Sequence, residues 1–95
     1  MRQAILAALA CLASAPAIAQ QPPLTQGPGR ELVEAACATC HSLAYIRMNS
    51  RFLTPDIWKA EVNKMRVMFG APIDDDAAAA IVKYLASQYG GQAKP

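Results

Sequence analysis

Apolar residues are unevenly spaced along this chain, and the spacing changes character several times. Ala4 to Ala13 is an uninterrupted apolar run. Gln20 to Gly29 (QQPPLTQGPG) has almost none and reads as an extended leader without a core contribution. From Arg30 to Ala38, Leu32, Val33 and Ala36 fall at helical spacing and predict a short first helix. Ser42 to Leu53 has no clean period and predicts a loop containing one turn. A second helix is strongly signalled. Thr54 is placed to cap it, Pro55 suits its first position, Asp56 favours the positive end of the dipole and Gly70 fits just past its end. Within it Trp58, Val62, Met65 and Phe69 fall within about 60° of one another at 100° per residue, a single stripe flanked by Ile57 and Met68. Asp74 is placed to cap a third helix, with Asp75 and Asp76 in its first turn. Its buried face is predicted to hold Ala78, Ile81, Leu85 and Tyr89, and Gly90-Gly91 to end it. No strand pattern or repeat is present, so an all-α fold of three main helices is expected.

The first apolar run is a targeting signal in form. Arg2 precedes it, and Ala17-Ile18-Ala19 is a small-residue cleavage site. A membrane span needs roughly 20 apolar residues, and this run is shorter. A lipid-modified Cys11 is the weaker alternative, because the residues before it do not match that signal. The organisation expected is a signal peptide over 1–19, a leader over 20–29 and one domain over 30–95, located in the periplasm with no membrane span after cleavage.

Length and charge narrow the functions available. The chain has 95 residues, 54% hydrophobic, with a formal net charge of +2. That leaves room for one small domain and for no Rossmann or barrel enzyme. The near-neutral balance argues against nucleic acid as the main partner. A domain this small is marginal unless something extra fills its core.

Cys37-Ala38-Thr39-Cys40-His41 supplies a candidate for that filling. C-x-x-C-H is the attachment signature of c-type haem. Two thiols at this spacing reach the two vinyl groups of one porphyrin, and the next residue, His41, offers the iron its imidazole. The other readings fit less well. A redox dithiol belongs to a βαβ context that this pattern lacks. A structural zinc needs four ligands, and only Cys37, Cys40 and His41 are at hand. A plain disulfide leaves the adjacent histidine unexplained. The expected cofactor is haem c, one per chain.

His41 is the sole histidine, so the second axial ligand must come from elsewhere. Met48, Met65 and Met68 are the thioethers available. Met65 is preferred because it sits in the middle of the Trp58/Val62/Phe69 stripe. Met68 and Met48 stay as alternatives, and ordinary core filling is the plain reading of any such methionine.

The segment from Cys37 to Tyr89 resembles the small periplasmic class I-like cytochromes c. The resemblance rests on CATCHSLAYIRMNS, Trp58 with Val62, Lys64 and Met65, the Phe69-Gly70-Ala71-Pro72-Ile73 turn, and Ile81-Val82-Lys83-Tyr84-Leu85. Within these it is most similar to the haem subunit of bacterial sulfite dehydrogenase. That likeness implies a small cytochrome c-like fold around one covalent haem, with Met65 as distal ligand. It also implies a molybdenum-cofactor sulfite dehydrogenase subunit as electron donor and a downstream cytochrome c or oxidase as acceptor. It departs from ordinary class I cytochromes in placing Met65 on a helix soon after His41.

A haem with both axial positions filled by protein transfers electrons and has no site for substrate, so no catalytic residues are expected. The alternatives are a general cytochrome c carrier, the haem subunit of another dehydrogenase, and a gas-binding sensor with an open iron. Arg47, Arg51, Lys59, Lys64 and Arg66 make the middle of the chain basic. They form either a rim that steers an acidic partner or a solvated face, and the solvated face is preferred.

Overall fold

The computed structural model describes residues 22–91; the signal-peptide reading, the cleavage site and Cys11 lie outside them. Four helices follow one another: α1 Arg30–Cys37, α2 Ala44–Asn49, α3 Pro55–Val67 and α4 Asp75–Tyr89. The described residues contain no strand. The all-α expectation holds, and α2 is an addition to it. Its start is marked by Ser42, whose hydroxyl accepts the Ala44 N–H at 3.1 Å. Ile46 is its one buried side chain, so a single apolar contact gives α2 its place and leaves no period to read.

α3 and α4 are the best-specified elements. Thr54 accepts the Ile57 N–H at the head of α3, with Pro55 in its first turn. Asp74 accepts the Ala77 N–H at the head of α4 at 2.7 Å. Gly70 (φ 68°) occupies the left-handed region and turns the chain, so that the Ala71 N–H donates to the Met65 carbonyl at 3.0 Å. The two helices pack on each other, and α1 packs on α4.

The core consists of Leu24, Val33, Ile46, Trp58, Val62, Ala78, Ile81, Tyr84 and Leu85. Leu24 corrects the leader reading: it is 2% exposed and packs with the helices. A strap of extended chain is held there by side chains of α4. The Tyr84 hydroxyl donates to the Thr25 carbonyl, and Tyr89 Oη accepts the Thr25 N–H at 2.9 Å. Gly29 (φ 95°) then starts α1 so close to α4 that a Cβ would stand 3.0 Å from the Ala80 carbonyl oxygen.

The strap also explains two changes on α4. Tyr84 lies at the edge of the predicted stripe, yet it is fully buried because the strap covers it. Tyr89, predicted as buried, is half-buried, with its hydroxyl turned to Thr25. Its carbonyl accepts the Trp58 indole N–H at 2.9 Å. Gly90 ends α4 in an extended conformation, not a left-handed one, and the Gly91 N–H then donates to the Leu53 carbonyl at 2.7 Å.

Candidate functional site

α1 ends at Cys37, and the motif Cys37–His41 runs off its C-terminus. No basic residue occupies the last turn. Instead Thr39 Oγ1 donates to the Ala36 carbonyl at 2.7 Å, satisfying one of the carbonyls left open at a helix end. This holds the two cysteines in different settings. Cys37 is half-buried against the core, and that burial pushes its thiol pKa up, keeping it protonated. Cys40 is exposed. Both are free thiols, so the plain-disulfide reading does not describe this structure.

His41 is exposed, with Nδ1 3.1 Å from the Ser42 carbonyl oxygen. A carbonyl only accepts, so this pairing puts the hydrogen on Nδ1 and leaves Nε2 with its lone pair free. The Tyr45 ring approaches the imidazole edge-on, with centroids 6.1 Å apart and planes at 61°. The apolar period marks neither Ser42 nor Tyr45, although both lie within the CATCHSLAYIRMNS stretch that carries the resemblance. A further signal is that Ser42 is a helix-starting residue one position after the motif.

The predicted methionine stripe divides. Trp58 and Val62 are buried in the core. Met65 is half-buried and lies outside the buried cluster and the apolar side chains packed on it. Phe69 lies beyond the end of α3 and is 69% exposed, so it is no part of a buried stripe. Met68 and Met48 are 72% and 71% exposed. Of the three thioethers, Met65 alone is partly sheltered.

Exposed apolar side chains gather at two helix ends: Met48 and Phe52 at and just past the end of α2, and Val67, Met68 and Phe69 at the end of α3. Covering a side chain of this size is worth about 1.5–3 kcal/mol. A flat, largely apolar prosthetic group suits such surfaces. The free thiols, the Nε2 lone pair and a sheltered thioether are the donor set that an iron porphyrin takes. In chemical kind the residues present therefore fit a haem. They do not form a metal cage by themselves: among the described residues, no three His, Cys, Asp or Glu side chains come together in one.

Residues 27–94 match the family model described as "Quinohemoprotein amine dehydrogenase A, alpha subunit, haem binding". The chain belongs to this family. No curated protein matches it. Membership makes the chain a haem-binding domain with an electron-transfer role, not an enzyme with a catalytic site of its own.

The charged rim of this haem-binding domain is mostly spent internally. Arg66 donates to the Ile73 carbonyl at 2.9 Å and to Asp75 at 2.6 Å. Lys64 pairs with Glu61 at 3.0 Å, and Arg51 stands 5.8 Å from the Phe52 ring centroid. These contacts accord with the solvated-face reading of the basic segment. No described helix is long and apolar enough to cross a membrane.

Proposed function

We propose that this chain is the haem c electron-transfer subunit of a periplasmic dehydrogenase, exported by residues 1–19 and carrying one haem. Cys37 and Cys40 would form the thioether links by adding their S–H groups to the porphyrin vinyls, and His41 Nε2 and Met65 Sδ would hold the iron. The observation that carries this reading is the pair of free thiols beside an imidazole whose Nδ1 is already engaged by the Ser42 carbonyl. The haem supplies a one-electron couple when bound. The chain's own residues do the rest. Ser42 fixes the imidazole tautomer, Tyr45 limits its rotation, and the half-buried position of Met65 keeps its sulfur away from bulk water.

Two donors are supported by different observations. The resemblance of the Trp58–Met65 segment and the Gly70-Ala71-Pro72 turn supports a molybdenum sulfite dehydrogenase subunit. The family match supports an amine-oxidising dehydrogenase equally well. In either case electrons leave for a downstream cytochrome c or oxidase.

Denaturing mass spectrometry of periplasmic protein should show one haem attached to a chain starting near Gln20. Met65→Ala should remove the far-red sulfur-to-iron band of the oxidised protein and lower its potential, while Met48→Ala and Met68→Ala keep both. Loss of the band in Met68→Ala or Met48→Ala instead would reassign the ligand. Rapid carbon monoxide binding to the reduced wild type would point to an open iron and a sensor. Mixing the holoprotein with each dehydrogenase and its substrate, sulfite or a primary amine, identifies the donor by which mixture reduces the haem.

A further inference from the structure

A groove of about 470 Å³ runs between α3 and α4. Its floor is apolar and made of small side chains, Val62, Ala78 and Val82, and Lys59, Arg66 and Lys83 stand on its walls. None of Cys37, Cys40, His41 and Met65 lines it.

The two ends of the groove differ in charge balance. At the α3–α4 turn, Arg66 faces the carboxylate of Asp75 at 2.6 Å and is neutralised there. The helices are packed together and joined by a short connection, so they run antiparallel. Lys59 lies seven residues back along α3 from Arg66, and Lys83 lies eight residues forward along α4 from Asp75. At 1.5 Å per residue both steps cover about 10–12 Å, which brings the two lysines to the same level of the groove. Both are exposed, and neither has a hydrogen bond or ion pair within the described residues. Two cations flanking a small apolar floor with no carboxylate between them form an electrostatically incomplete surface.

We infer that this groove is a protein-docking surface for a carboxylate-bearing segment with an apolar face. Its small side chains enter between Val62, Ala78 and Val82, and its carboxylates pair with Lys59 and Lys83. The two cations are too few to hold a nucleic acid backbone, while the apolar floor suits the burial of side chains. The inference does not depend on which dehydrogenase is the donor.

The test uses 15N-labelled, reduced holoprotein titrated with a 15-residue amphipathic helical peptide carrying Glu on one face and Ala and Leu on the other. Amide shifts should centre on residues 59–66 and 78–83 and weaken steeply between 50 and 300 mM salt. The Lys59→Glu/Lys83→Glu double variant should bind at least tenfold more weakly, with an unchanged haem spectrum and melting curve. A control peptide with Lys in place of every Glu should give no shifts in the groove. Shifts centred on residues 37–41, equal binding of the two peptides, or no groove shifts at millimolar peptide would each overturn the inference. A protein lacking covalent haem that still binds the acidic peptide in the groove would count against the proposed function alone.

Discussion

The α3–α4 hairpin and the α1–α2 segment are built on opposite terms. In the hairpin each helix starts with a side-chain cap, Thr54 or Asp74, and buries a face in the shared core. In α1 and α2 the residues at the N-caps are Gly29 and Leu43, and neither supplies a side-chain hydrogen bond. Each of these shorter helices buries one residue, Val33 or Ile46. Cys37 ends α1 and Cys40 and His41 lie exposed in the loop before α2, while Met65 is carried by α3. The contrast shows a scaffold stabilised by its own packing and a binding segment that buries fewer of its side chains in the same core. The second segment has most to gain from a covalently attached group, since binding to the native state adds directly to its stability.

The sharpest way to break the comparison is to remove the attachment chemistry. Cys37→Ala/Cys40→Ala should abolish covalent haem altogether, read as loss of the haem mass under denaturing conditions. Amide exchange should then speed up most in residues 30–49 and least in 75–89. Equal loss of protection in both regions would show that the hairpin depends on the haem as well.

The next largest effect is expected from the hairpin core. Ile81 is 1% exposed, so Ile81→Ala should cost about 2–5 kcal/mol in denaturant unfolding. Leu32→Ala on α1, at a side chain 42% exposed, should cost much less. A comparable cost at both positions would remove the distinction between the regions.

A smaller effect should come from the strap. Burial of Tyr84 pushes its phenol pKa up from the ordinary 10 to about 12, with Tyr89 nearby adding to the shift. The folded state therefore favours the neutral phenol more than the unfolded chain does. This stabilisation is complete below pH 10 and is lost as the pH rises through about 12. Tyr84→Phe should be less stable at neutral pH because the bond to the Thr25 carbonyl is gone. Its stability should also fall less between pH 10 and 12 than that of the wild type, as measured by urea midpoints across that range. Parallel curves for the two proteins would dismiss the buried phenol as the cause.

The mildest test concerns the caps. Thr54→Ala and Asp74→Ala should each cost about 1 kcal/mol. Ser42→Ala, at the start of α2, should cost less still, because α2 is only six residues long. Its larger effect should be on the orientation of His41 through the adjoining turn, visible as a change in the low-spin signal of the oxidised haem.

Local chemistry alone determined the hairpin and the haem motif. Thr54 and Asp74 announced their helices because capping depends on residues within one turn. Cys37, Cys40 and His41 were readable because the attachment chemistry dictates a fixed spacing. The all-α class followed from the period of the apolar residues. Tertiary structure decided what depends on distant partners. Leu24 and Thr25 joined the fold only because Tyr84 and Tyr89, some sixty residues on, reach back to them. Tyr84 was hidden by that strap, and α2 formed around the lone burial of Ile46. Phe69 fell outside its predicted stripe because α3 stopped at Val67 and the chain turned at Gly70. In each case the deciding contact joins residues far apart in sequence, and a periodic pattern reports only the face a residue occupies, not what covers it.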